Sequence, residues 1–333
     1  MRTTNAFVVA CLALTLAPMV AQAVIVYGDP AAAPSTHRNL SAPAGVWLDT
    51  GWQFEGTFGS GTSAYTGTPI AANAFITAHH VGAVSDITYN GITYSVVGPG
   101  TQIGTTDLQV WKISGNFPKW APLYQPTDGA LSGKSLVVFG RGVQPGTAVN
   151  TTKPISVTVH NGWQWGAVDG AAGGALSWGT NQVDGVYTDP TLGKFVVFSA
   201  DSISGINEGT LVDKDSGGGV FVQGADGAWK LAGINYGVVP SQYSLALDGS
   251  NSFNAAIFNT NALYAGPPWA SATPQTSFAS SISDSYTQIL QAIPEPSTLL
   301  FATASALFLA SRRRRAAPIT QHPESIGALA VAD

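Results

Sequence analysis

Cysteine is nearly missing from this sequence: one residue, Cys11, in 333. It sits in an N-terminal stretch with the marks of a segment removed on export, so no disulfide framework holds the rest of the chain. Charge is scarce as well, at 10% of residues. Between 24 and 291, nine Lys and Arg face sixteen Asp and Glu, with no basic stripe to hold phosphates, which argues against nucleic acid as a partner. The acidic excess keeps such a chain soluble. Histidine occurs five times, and His37, His160 and His322 lie at no ligand spacing from the adjacent His79 and His80. A bound metal is therefore not expected, and no cofactor is implied. No long run with a 3.6-residue apolar period precedes the C-terminus and no repeat of fixed period occurs, which argues against a helical bundle, a propeller or a solenoid.

What is present begins with an export signal. Arg2 gives a positive start, Ala6 to Ala17 a short apolar core, and Ala21-Gln22-Ala23 a small-residue cleavage site. Residues 1–23 read as a secretory signal peptide cut by signal peptidase, with Val24 as the new N-terminus. The apolar stretch is too short for a retained anchor. From 24 to 268 come short runs rich in β-branched and aromatic residues, such as Ile87-Thr88-Tyr89, Leu136-Val137-Val138-Phe139 and Phe195-Val196-Val197-Phe198, broken by Gly, Pro, Asn and Asp. This pattern predicts an all-β domain, sandwich or barrel, long enough to bury a core without covalent staples. Ser, Thr, Ala and Gln dominate 269–292, which reads as a linker.

Three stretches carry candidate chemistry. In Asp213-Lys214-Asp215-Ser216-Gly217-Gly218-Gly219, a serine on a tight turn is followed by glycines that tolerate unusual backbone angles and would leave room for an acyl group. Taken alone it is also ordinary turn composition. An apolar run from Thr68 ends in Thr77-Ala78-His79-His80-Val81 and delivers imidazole, which can take a proton from an alcohol and return it. If both histidines lie in a strand, only one faces a given site. Asp107 opens Leu108-Gln109-Val110-Trp111-Lys112, where a carboxylate could fix the tautomer of an imidazole, or simply begin a strand.

The three stand in the order His, Asp, Ser, which is the chymotrypsin order and differs from those of subtilisin and the α/β-hydrolases. Thr77-Ala78-His79-His80-Val81 resembles the Thr-Ala-Ala-His-Cys of trypsin-like serine peptidases, Asp107 to Trp111 their Asp-Leu-Ala-Leu-Leu, and Lys214 to Gly219 their Gly-Asp-Ser-Gly-Gly-Pro. Gly233 to Gly237 is similar to their Gly-Ile-Val-Ser-Trp-Gly. The resemblance implies two antiparallel β-barrels with the active site between them, and a peptide substrate. It makes Ser216 the nucleophile, His80 the base, Asp107 the orienting carboxylate, and His79 structural. The backbone N–H groups of Lys214 and Ser216 would form the oxyanion hole. Asp215 would pair with a free Val24 amine, and Asn235, Tyr236 and Gly237 would line the substrate strand. Thr210 stands where trypsin has its lysine- and arginine-binding aspartate, so a small or apolar preference is expected instead. Lys214 replaces the family's oxyanion glycine. Either its backbone is strained by about 1–3 kcal/mol or the peptide flips and one donor is lost, at roughly 10²–10³ in rate. A catalytically silent surface protein binding matrix protein or polysaccharide is the alternative. Trp163, Trp165 and Trp178 could stack on sugar or serve as core anchors.

At the C-terminus, Pro294-Glu295-Pro296 precedes an apolar segment over 298–311 and Arg312-Arg313-Arg314-Arg315, with a tail at 316–333. The segment is short for a bilayer core, and the arginines would hold the tail on the cytoplasmic side. Residues 293–315 resemble the PEP-CTERM sorting signal, which implies an exosortase as processing partner, membrane contact through this segment alone, and a destination in the outer envelope or matrix.

Overall fold

The computed structural model describes residues 24–28, 37–60, 64–152, 158–167, 174–201 and 205–293. The signal peptide, the sorting motif and the arginine cluster lie outside these residues. Up to Ile293 the described chain belongs to one compact unit, and it is mostly β. Among the described residues no helix is long and apolar enough to cross a membrane.

Strands with two buried faces set the architecture. Along Ala74–Ala78 every residue is buried, and the faces alternate as the pleat requires. Phe75 joins Phe58, Ile87, Tyr89 and Trp111 in one apolar cluster, whereas Ala74, Ile76 and Ala78 join another that also takes Val137, Phe139, Phe221 and Ile234. The strand Ser135–Gly140 repeats the arrangement: Val137 and Phe139 face this shared cluster, and Leu136 and Val138 face a third. Each such large side chain contributes roughly 1.5–3 kcal/mol on full burial. Sequence runs that are apolar without a break are therefore strands pressed from both sides.

The first of these strands lies in a seven-stranded antiparallel sheet ordered Ile92–Ser95, Asp86–Tyr89, Gly56–Phe58, Tyr65–Ala71, Ala74–Ala78, Leu108–Lys112, Thr101–Gln102. It curls on itself, with Ser114 N–H donating to Ser95 O (2.8 Å) and Val97 N–H to Lys112 O (2.9 Å). The second sheet runs Ser177–Gln182, Ser135–Gly140, Gly219–Gln223, Trp229–Val239, Gln275–Ser281, Gly193–Ala200, Gly185–Asp189. Its first strand also reaches back to its sixth, where the Asn181 amide donates to Ser199 O (3.0 Å). A six-stranded sheet from Pro145–Thr152 to Ala270–Ser271 flanks it. Trp163 and Trp178 are core residues: Trp163 stacks on His37, and the Trp178 indole donates to Ser41 O (2.8 Å).

The region 269–292 is not a linker. Gln275–Ser281 is an interior strand of the second sheet, paired with Trp229–Val239 on one side and Gly193–Ala200 on the other. The helix Ile282–Ala292 follows, its N-cap Ser281 accepting from Asp284 N–H, with Ile282 and Ile289 buried in the shared cluster. Polar composition misleads here because the polar groups are satisfied inside. The Gln275 amide donates to Ala255 O (2.9 Å) and Pro240 O (3.0 Å), and Ser277 Oγ meets Thr210 Oγ1 (3.0 Å).

Candidate active site

The end of Ala74–Ala78 positions the imidazole. The chain leaves that strand through a 3-10 turn, His79–Val81, so the two histidines diverge by a turn and not by strand alternation. Asp107, at the start of the next strand, ties this turn down. Its carbonyl accepts from His79 N–H (2.9 Å), its Oδ1 from His80 N–H (2.9 Å), and its Oδ2 lies 2.7 Å from His80 Nδ1. A carboxylate accepts only, so Nδ1 carries the proton and Nε2 is left as the acceptor. Ser216 Oγ lies 2.7 Å from that Nε2 and donates to it. Asp107 is 4% exposed while the His80 ring remains open to solvent at 41%. The three side chains thus form one hydrogen-bonded path from solid core to surface. His79 sits outside it, its Nδ1 against Gln109 Oε1, and the His80 ring meets Tyr236 edge-on at 5.6 Å.

The serine turn is shaped by packing. Lys214 adopts φ +75°, so of the two routes open to it the chain takes the strained backbone, at about 1–3 kcal/mol. Among the described residues the N–H groups of Lys214 and Ser216 have no acceptor in the protein. Gly217, at φ +86°, needs its conformational freedom, and a Cβ there would strike Thr66 O. At Gly218 a Cβ would strike Phe139 O, and at Gly219 the carboxyl of Glu55. These two glycines are required by the surrounding protein, not by room for an acyl group.

Asp215 is buried and accepts from Gly142 N–H (2.8 Å), Val212 N–H (2.8 Å) and Val24 N–H (3.3 Å). Burial pushes its carboxyl up to about 7 despite those donors. Val24 is itself fully buried, and the strand it begins, Ile25–Val26, pairs with Gly209–Thr210.

Two expected substrate contacts are corrected. Thr210 has no exposed surface, and its hydroxyl is shared between Gln275 and Ser277. It cannot touch a substrate in this conformation. The Asn235 side chain is also buried; its amide donates to Phe139 O (2.7 Å) and Asp215 O (3.1 Å) and so braces the serine turn. Tyr236 is exposed, at a bulge in the Trp229–Val239 pairing, and no group crowds Gly237. Among the described residues no cluster of His, Cys, Asp or Glu could hold a metal ion. Glu55 is a residue that sequence patterns did not single out. Its Oε1 accepts from Gly219 N–H (3.2 Å) and Thr68 Oγ1 (3.4 Å), which links the two seven-stranded sheets directly behind the serine.

A mostly β chain with a Ser, His and Asp hydrogen-bonded in series is the class that fold and site define. No protein-family model and no curated protein sequence matches the chain. Similar solved structures include the passenger domain of plasmid-encoded toxin, an autotransporter enterotoxin of enteroaggregative Escherichia coli, at 15% identity over 69% of this chain and 22% of that one, TM-score 0.42. An HtrA-type protease, AlgW with a tripeptide, is 15% identical over 74% of this chain and 62% of its own, TM-score 0.39. The protein Rv3671c of M. tuberculosis H37Rv, in an inactive form with a serine-to-alanine substitution, is 12% identical over 76% and 96%, TM-score 0.37. The chain spans less than two thirds of the length of the first two.

Proposed function

We propose that the protein is an exported serine endopeptidase with two barrels of the chymotrypsin type. The observation that carries this reading is the pair of 2.7 Å contacts from Ser216 Oγ to His80 Nε2 and from His80 Nδ1 to Asp107. In the reaction, Ser216 Oγ attacks the scissile carbonyl as His80 Nε2 takes its proton. The imidazolium is held by Asp107, and the oxyanion meets the N–H groups of Lys214 and Ser216. His80 then protonates the leaving amine, and water repeats the sequence on the acyl-enzyme. The side of Tyr236 and Gly237 turned away from Gln275–Ser281, past the last pairing with Gly219, supplies main-chain bonds to the acyl side of the peptide. A fluorophosphonate probe should label the purified protein at Ser216 near pH 8, and Ser216→Ala should abolish labelling. Folded wild type that does not label would leave the silent surface protein as the better account.

Processing belongs to the same proposal. Cleavage before Val24 would place an ammonium where its N–H now meets Asp215, stabilising a carboxylate that burial otherwise disfavours. The sorting signal at 293–315, processed by an exosortase, would direct the protein to the outer envelope. Deleting residues 294–333 should release protein into the medium with Val24 as its first residue. Retention in the envelope would sink the sorting role, and a different first residue the ammonium.

A further inference from the structure

Lys214 carries a side chain for which the oxyanion hole has no use. Its φ of +75° is one that glycine adopts freely and L side chains do not. From the serine turn the side chain reaches across to the first sheet, where Nζ lies 3.5 Å from the Tyr65 hydroxyl and 5.8 Å from the centre of its ring. Among the described residues no carboxylate pairs with this ammonium: the ion pairs there involve His80, Lys194 and Lys230. A non-glycine residue held in a strained conformation beside a nucleophile points to a use for its side chain.

The turn is clamped between two walls. On one side Gly217 N–H donates to Asn235 O (3.1 Å), where the pairing of Trp229–Val239 with Gly219–Gln223 ends. On the other lie Tyr65 and Thr66, the latter against Gly217. Next to Tyr65 a cavity of about 380 Å³ opens, walled by Phe58, Val81, Val84 and Ser85, and Val81 directly follows His80. A peptide whose acyl part follows the Tyr236 edge therefore sends its leaving part over Tyr65, past the Lys214 ammonium and toward this cavity.

We propose that Lys214 Nζ, the Tyr65 ring and hydroxyl, and the adjoining cavity form a leaving-side subsite that selects an acidic side chain in the first or second residue after the scissile bond. This rests on the peptidase reading. The aromatic ring fixes the ammonium and partly strips its water, which strengthens its attraction for a carboxylate. The Tyr65 hydroxyl can donate to the same oxygens. A basic side chain meets a like charge there. Attraction and repulsion at a half-exposed site of this kind together make about a tenfold discrimination.

Acyl transfer tests it without knowledge of the acyl-side preference. p-Nitrophenyl acetate acetylates Ser216 with release of nitrophenolate. The acetyl group then partitions between water and an added dipeptide amide, whose amine nitrogen forms the new C–N bond as the bond to Ser216 Oγ breaks and the proton passes through His80 to that oxygen. Asp-Ala and Ala-Asp amides should capture the acetyl group about tenfold better than Lys-Ala and Ala-Lys amides. In Lys214→Gly, which keeps the N–H and relieves the backbone, the ratio should fall toward one. Tyr65→Ala, which leaves the turn intact, should lower it too. A ratio near one in the wild type, or one unchanged in Lys214→Gly, overturns the subsite while the acylation burst upholds the peptidase. With no burst at Ser216 in the wild type, the peptidase reading falls and the subsite with it.

Discussion

If Asp107 orients His80 as proposed, Asp107→Asn should lower kcat by about 10⁴ at pH 7, the magnitude seen when the orienting carboxylate of a Ser-His-Asp triad becomes an amide. Asp107 accepts twice from His80, at the ring and at the backbone N–H. An amide can keep one of these bonds while presenting its NH₂ to Nδ1, which then must be the unprotonated nitrogen. Nε2 would carry the proton and could no longer accept from Ser216. KM should change little, because Asp107 touches no substrate, and circular dichroism should be native. Steady-state kinetics within tenfold of wild type would show that the imidazole does not serve as the base.

Stability should fall with rising pH, and Glu55→Gln should remove about half of that fall. Burial pushes the Glu55 carboxyl up to about 8, against the pull of the Gly219 N–H, the Thr68 hydroxyl and the Arg141 charge. Among the described residues its enclosed Oε2 has no hydrogen-bond partner. A folded-state value above the ordinary 4.5 means that the native protein holds a proton the unfolded chain releases. The contribution is whole below about pH 4.5 and is lost progressively as pH rises toward 8. One pH unit corresponds to about 1.4 kcal/mol. The residue as a whole is partly exposed, so a loss on the order of 3 kcal/mol across the window is expected after solvent screening. Asp215 adds a like slope up to about 7, equally in wild type and variant, so the difference between their urea midpoints at pH 5, 6.5 and 8 isolates Glu55. The glutamine still accepts from Gly219 and Thr68, so the variant should fold. Parallel pH profiles would mean that Glu55 is ionised in the folded protein.

Glu55 is invisible in the sequence for the reason that 269–292 looks like a linker. A single glutamate before Gly56-Thr57-Phe58 carries no pattern, and its two partners lie 164 and 13 residues away. Ser277 and Gln275 look like linker residues until Thr210, Pro240 and Ala255 are brought to them. The resemblance to trypsin puts Thr210 against substrate, yet the strand Ile25–Val26 and the serine at 277 cover it. By contrast His80, Asp107 and Ser216 were legible because each sits in a short stretch of recognisable residue types beside a strand.

Neighbours along the chain encode strands from runs of Val, Ile and Phe, an acid, an imidazole and an alcohol each next to one, and no thiol beyond Cys11 to staple them. Which polar groups meet is settled by the fold. The His80 and Ser216 partners lie 136 residues apart, Lys214 reaches Tyr65 across 149, and Val24 reaches Asp215 across 191. Periodicity reports how far a face is buried, whereas a hydrogen bond depends on two particular atoms arriving within about 3 Å. That placement comes from the packing of whole sheets against one another, and no local stretch contains it.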